Sequence, residues 1–289
     1  MRYEAPLYRP PSEAQSLIIQ ATIGCSHSAC TFCSMYKNKR FRVRSLDEIC
    51  EDIRWAREKY GMVQRIFLAD GDALAMETDE LLSVLRELSV AFPQAERVSV
   101  YAGPQNILAK THRELVAIRQ AGVRLAYFGL ESGDAHVLQA VNKGATTEEM
   151  VEAAGRVRAA GIELSATVIL GLGGKERTRE HALYTAEVVS CINPEYLGAL
   201  TLMVEKSTPL AAKIACGEFV LLSPREVLLE LRMMLEGLQV QHCLFRSNHA
   251  SNYFAAGGLL PRDKARLLAE TDRILNDERL LKSEHFRGL

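Results

Sequence analysis

A chain of 289 residues with a formal net charge of −1 has no global field to hold a nucleic acid, so a polyanionic partner would need a local basic patch. Its apolar fraction of 48% and charged fraction of 25% are those of an ordinary globular protein, and no apolar run reaches membrane-spanning length. The N-terminal stretch MRYEAPLYRPPSEAQ lacks a signal-peptide core, so the expected location is the cytoplasm, where the seven cysteines act as thiols or metal ligands rather than disulfides.

In chain order, residues 1–15 are expected to be extended, because Pro10 and Pro11 fix the backbone. The run SLIIQATIG (16–24) follows, apolar almost throughout as in a strand buried on both faces. Ser45 and Glu48 form a capping box for a helix that stops at Gly61. RIFLAD (65–70) and RVSVYAG (97–103) are the next strands. Thr111 and Glu114 cap a helix ending at Gly122. RLAYFGL (124–130) precedes a third capped helix, from Thr146 and Glu149 to Gly161. ELSATVILG (163–171) and YLGALTLM (196–203) complete six strands, and Ser223, Pro224 and Glu226 start a further helix. This alternation reads as an α/β fold, a β/α barrel or a doubly wound sheet, and either one puts its functional loops at the C-terminal ends of its strands.

The loop after the first strand holds Cys25, Cys30 and Cys33. A closed zinc site needs four ligands. His27 could be the fourth, but the loop is tight for that, and the usual zinc spacing draws on two separated pairs. Three thiolates suit a 4Fe–4S cube better, and they leave the fourth iron open to a reacting group. GLGGKE (171–176) follows a strand but lacks the dinucleotide and P-loop spacings.

With Phe32 before the last cysteine, this C-x4-C-x2-C motif resembles the C-x3-C-x2-C motif of the radical S-adenosylmethionine superfamily, with one residue more in its first gap. The resemblance extends from Ser16 to about Leu210. It implies a partial (β/α)6 TIM-type barrel over 16–210, with a C-terminal helical extension over 211–289 closing the barrel. It also implies a 4Fe–4S cluster on Cys25, Cys30 and Cys33 whose open iron binds S-adenosylmethionine. One electron then cleaves the sulfonium to methionine and a 5′-deoxyadenosyl radical, which takes a hydrogen atom from substrate.

LADGDAL (68–74) lies where the family receives the methionine amino group, so Asp70 and Asp72 are candidates for that contact, and Gly71 lets the backbone approach. FGLESGDAHVLQAVNKG (128–144) resembles the segment that meets the sulfonium and ribose, with Glu131 and Ser132 as the contacts. VILGLGGKE (168–176) resembles the adenine-holding motif, which carries over Ile169 and Gly171, with Phe32 packing nearby. TLMVEKSTPL (201–210) resembles the sixth-strand loop of the same subfamilies, the coproporphyrinogen dehydrogenase and methylthiotransferase branches.

Outside the shared motifs, the basic run KNKRFRVR (37–44) is either a solvated loop or a docking patch for a flavodoxin or ferredoxin-type electron donor, or for substrate anions. RSNHASNY (246–253) is polar between apolar stretches, which makes Asn248, His249 and Tyr253 candidates for substrate orientation or proton donation. Cys50, Cys191, Cys216 and Cys243 are scattered, with no second cluster motif. The expected reaction is therefore single-cluster chemistry on a small or medium organic substrate. A radical modifier of nucleic acid or protein is the first alternative, and a zinc- or iron–sulfur-stabilised binding module without turnover is the second.

Overall fold

A computed structural model describes residues 1–288. In chain order its elements are β1 (Leu17–Gln20), β2 (Thr22–Ile23), β3 (Arg42–Val43), α1 (Leu46–Tyr60), β4 (Arg65–Ala69), α2 (Thr78–Ala91), β5 (Arg97–Tyr101), α3 (Pro104–Leu108), α4 (His112–Gln120) and β6 (Val123–Glu131). They continue with α5 (Ala135–Ala140), α6 (Thr147–Ala159), β7 (Glu163–Leu170), α7 (Gly174–Ile192), β8 (Tyr196–Thr201), α8 (Pro209–Ala215), α9 (Pro224–Gly237), β9 (Cys243–Ser247), β10 (Ala256–Leu260) and α10 (Lys264–Asn276). Two compact units are formed. The first holds Met1–Ser28, Met35–Phe128 and Glu152–Leu164; the second holds Ala29–Ser34, Gly129–Val151 and the chain from Ser165 on.

In the first unit, β1, β4, β5 and β6 run parallel, with Ile18 beside Phe67, Phe67 beside Ser99, and Val100 beside Ala126. Ile66, Leu68 and Val100 are fully buried, as are Ile49 of α1, Leu81 of α2 and Leu115 of α4. The capping boxes form as the spacing requires. The Ser45 and Thr111 hydroxyls accept from the N–H groups of Glu48 and Glu114, and each glutamate accepts from its cap residue in return. The N-terminal segment is tied to this unit. Glu4 exchanges hydrogen bonds with the Gln20 side chain, and the buried Glu13 accepts from Arg97 and Tyr127. Residues 11–13 of this expected extended stretch form a short 3-10 turn.

In the second unit, β7, β8 and β9 are parallel and β10 returns antiparallel to β9. Burial alternates strictly along β7, β8 and β9, so one face is covered and the other is more open. Leu170, Thr201 and Ser247 of the covered face line a small cavity with Val227, Leu228 and Leu231 of α9. Helix α9 packs on α7 and α10. The region after residue 210 is thus more than the expected helical extension, because β9 and β10 continue the strand pairing beyond β8. Among the described residues no helix is long and apolar enough to cross a membrane.

Candidate active site

The cysteine loop begins where β2 ends. Cys25 lies in the first unit, Cys30 and Cys33 in the second, and all three are half-buried. On the first side, the Gly71 N–H donates to Gly24 O at 3.0 Å. A Cβ at position 71 would stand 3.0 Å from Cys25 Cβ and 2.9 Å from Tyr36 Cε2, so only glycine lets the acidic turn lie against Cys25.

The two acids flanking Gly71 do different work. Asp70 has no exposed side-chain surface, and its Oδ2 accepts from Lys39 Nζ at 2.9 Å, Gln20 Nε2 at 2.9 Å and the Gly24 N–H at 3.0 Å. Lys39 Nζ also donates to Glu4 O and Pro6 O. Asp70 is therefore the counter-ion of a buried lysine through Oδ2, while its buried Oδ1 has no hydrogen-bond partner. Asp72 is also buried. Its Oδ2 accepts from Asn106 Nδ2 at 2.6 Å, the Gly103 N–H at 3.1 Å and Ser26 Oγ at 3.2 Å, and its Oδ1 has no hydrogen-bond partner. Burial pushes the Asp72 carboxyl up to about 6, against these hydrogen bonds. Asn106 and Ser26 carry no signal in the sequence, because Asn106 is uncharged and Ser26 is one of the spacer positions between Cys25 and Cys30.

The same geometry divides the basic run. Arg44 is buried and donates to Asp52 and to Gln20 O, and Lys39 is buried on Asp70. Lys37, Arg40 and Arg42 remain exposed.

On the second side, the cysteine loop is stitched to its own unit. The Thr31 N–H donates to Val141 O at 2.9 Å, the Leu210 N–H to Thr31 O at 3.0 Å, and Asn142 Nδ2 to Ala29 O at 3.2 Å. Phe32 and Ile169 pack on one apolar cluster of Val137, Val141, Leu172, Leu202 and Leu210. Two residues expected beside adenine are thereby brought together from distant parts of the chain. Gly171 sits in the turn beyond Ile169, where its N–H donates to Glu230 Oε1 at 2.7 Å. Glu230, fully buried on α9, also accepts from Thr178 Oγ1 at 2.6 Å and lies 3.0 Å from His181 Nδ1.

Glu131 is half-buried and pairs with Lys143 at 3.0 Å. Ser132 is fully buried, and its Oγ accepts from the Asp134 N–H in the turn that starts α5, which corrects its expected contact with the cofactor.

The polar run divides likewise. The buried Asn252 bonds Thr201 Oγ1 and Ala199 O across to β8. Tyr253, expected to meet substrate, is buried under Arg287, whose guanidinium lies 4.1 Å from its ring centroid. Its hydroxyl engages Glu284 and Arg287, and burial pushes it up to about 12, so it clasps the C-terminal segment instead. His249 Nδ1 accepts from the Ser251 N–H at 3.1 Å and lies 2.9 Å from Ser251 Oγ, which itself accepts from the Thr201 N–H. Burial and then Lys282 lower its pKa, and an Nδ1 that accepts from Ser251 leaves the proton of the neutral ring on Nε2. Asn248 is exposed.

Among the described residues no group of three or more His, Cys, Asp or Glu is arranged to hold a single metal ion. Cys25, Cys30 and Cys33 are not paired in disulfides, and thiols are soft ligands of the kind that iron–sulfur clusters take.

Residues 19–189 match the family model described as the radical SAM superfamily. Among curated proteins, the chain is 23% identical over 184 residues to an uncharacterized methyltransferase, PH0819, of Pyrococcus horikoshii, covering 62% of this chain and 38% of that protein. It is 23% identical over 206 residues to 4′-phospho-dehydrooxetanocin synthase of Priestia megaterium, covering 64% and 28%. The chain thus spans well under half the length of these relatives. Among solved structures, Escherichia coli coproporphyrinogen III oxidase, a radical SAM enzyme, superposes with a TM-score of 0.58 at 18% identity, covering 76% of this chain and 51% of that one. Methylornithine synthase superposes with a TM-score of 0.56 at 15% identity, covering 89% and 68%. The likeness is one of fold, α/β with the parallel strands of a partial barrel.

Proposed function

Because the chain belongs to the radical SAM superfamily, whose cofactors are a 4Fe–4S cluster and S-adenosylmethionine, we propose that it cleaves S-adenosylmethionine reductively and takes hydrogen from a small or medium organic substrate. When bound, these cofactors supply a one-electron cleavage of the sulfonium, which yields methionine and a 5′-deoxyadenosyl radical. The chain's own residues bind, orient and exclude water. Cys25, Cys30 and Cys33 hold the cluster. The observation that carries the reading is the packing of Phe32, from the cysteine loop, on the same apolar cluster as Ile169. That cluster supports an adenine platform beside the thiols, and the buried Glu230 fixes the Gly171 turn at its edge.

Asp72 is assigned to the methionine amino group. Every group that hydrogen-bonds its buried carboxylate is neutral, and an ammonium there would offset the desolvation that raises its pKa. Glu131 is assigned to the ribose side. In Glu131→Ala, S-adenosylmethionine affinity should fall about tenfold, as for a lost charge-assisted hydrogen bond, measured by equilibrium dialysis. Unchanged affinity would leave Glu131 only its pairing with Lys143.

His249 and Asn248 are assigned to the substrate, His249 as a neutral Nε2–H donor. In His249→Ala, kcat for the substrate should fall by about a hundredfold or more with a smaller change in KM, within the range for general acid catalysis. An unchanged kcat would return that loop to its bonds with Ser251. Enzymes of the superfamily need an electron donor, and Lys37, Arg40 and Arg42 are the exposed cations assigned to a flavodoxin or ferredoxin.

The deciding experiment is anaerobic reconstitution with iron, sulfide and S-adenosylmethionine in the presence of a deuterium-labelled metabolite extract. Brown protein that forms 5′-deoxyadenosine carrying deuterium is the expected result. Zinc-bound, colourless protein would instead support a binding module, and S-adenosylhomocysteine as the only nucleoside product would support methyl transfer.

A further inference from the structure

The open face of the sheet in the second unit carries one cation in an unusual setting. Thr167 of β7, Gly198 of β8, Arg246 of β9 and Gly257 of β10 stand side by side in register. Residues in register share a face, and this row lies on the face opposite α9, since Leu170, Thr201 and Ser247 turn toward that helix. Arg246 is exposed, while its chain neighbours Phe245 and Ser247 are buried. Among the described residues no carboxylate pairs with it, and its guanidinium makes no hydrogen bond. Two arginines of other strands are paired, Arg97 with Glu13 and Arg42 with Glu4.

Both neighbours of Arg246 across the sheet are glycines. Glycine weakens a strand interior and marks places where another group approaches closely. On the β10 side that group is the guanidinium itself. A Cβ at position 257 would meet Arg246 Nη1 at 3.0 Å and Cδ at 3.2 Å. On the β8 side a Cβ at position 198 would meet Leu200 Cδ1 at 3.8 Å and Thr167 Oγ1 at 4.0 Å, ordinary van der Waals contact, so a small group fits there without displacing a neighbour. The next row on the same face, roughly 6–7 Å toward the C-terminal strand ends, carries Ile169 and Leu200. Asn248 and His249 follow β9 directly.

We propose that Arg246 is the anion-binding residue of the substrate site, taking a carboxylate or phosphate group in the space left by Gly198 while Gly257 seats its guanidinium. The inference rests on the reading of the chain as a radical SAM enzyme, and it gives the substrate a chemical class. A planar fork of N–H donors fits two oxygens of such a group, and an unpaired guanidinium keeps those donors available. Placed one row below Ile169, it would hold the charged end of a substrate whose other end reaches the strand-end loops.

The test uses the full chain without added cofactors. Succinate and inorganic phosphate are titrated separately, and binding is followed by the 15N signal of Arg246 Nε and by broadening of the ligand's 13C or 31P line. A saturating shift of the Arg246 signal with at least one anion is expected. Affinity should fall about tenfold to a hundredfold in Arg246→Gln, as for lost hydrogen bonds to a charged group, and by less in Arg246→Lys and Gly257→Ala. A response to succinate alone identifies a carboxylate, and a response to phosphate alone a phosphate. An Arg246 signal that moves with neither anion, or an Arg246→Gln protein that binds both as the wild type does, overturns the proposal. Because this measurement needs neither cluster nor S-adenosylmethionine, it reads the anion site whether or not the chain makes 5′-deoxyadenosine.

Discussion

In Cys30→Ala, anaerobically reconstituted protein should lose its iron–sulfur absorbance, and 5′-deoxyadenosine formation should fall by more than about a hundredfold, beyond what loss of an outer contact to a metal site costs. The same is expected of Cys25→Ala and Cys33→Ala, because each thiolate serves a different iron and none can substitute for another. The fold should survive these changes, since all three side chains are half-buried and the loop keeps the backbone bonds of Thr31 to Val141 and Leu210. Cys191→Ala and Cys216→Ala serve as controls. Both cysteines are exposed, so iron content and cofactor cleavage should stay at the wild-type level. Iron lost from either control would reveal a second cluster, and full cleavage by any variant of the trio would remove the proposed function.

The second large effect falls on stability. Lys39→Met should destabilise the chain by about 3–5 kcal/mol, the usual result of removing one partner of a buried ion pair. Its side chain is 4% exposed and that of Asp70 is fully buried, so solvent cannot replace the lost charge. The carbonyls of Glu4 and Pro6 lose a donor in the same step, so proteolysis in the first ten residues should accelerate. Urea unfolding measures the first effect and limited proteolysis the second. The double variant Lys39→Met with Asp70→Asn should recover part of the loss, because it leaves no uncompensated charge. An unchanged urea midpoint in Lys39→Met would mean that water reaches Asp70 after all.

Local chemistry made much of the fold legible. Capping pairs such as Thr111 with Glu114 announce a helix within four residues, and unbroken apolar runs such as RIFLA announce buried strands. The strands β9 and β10 escaped because AGGLL carries a glycine pair that argues against a strand, and the polar RSNHASNY begins within β9. At the site, the cysteine spacing and Phe32 were readable as a motif. The fate of Lys39 was not, because a basic run looks solvated until its partner, 31 residues away in sequence, folds onto it. Glu230 left a fainter signal, an acid within the apolar stripe of Val227, Leu231 and Met234 on α9. Such a misfit marks a buried carboxylate, but pattern alone does not name its partners Gly171, Thr178 and His181.

Glu230 lies outside the family-matched stretch, which ends at residue 189. A shortened protein that stopped after β8 would strand an inward-facing amide at Gly171 and expose the seat of α7 to water, so the shared portion is not a portable cassette. Chimaeras between this chain and its relatives should be joined beyond α9, carrying that helix along with the strands it fastens.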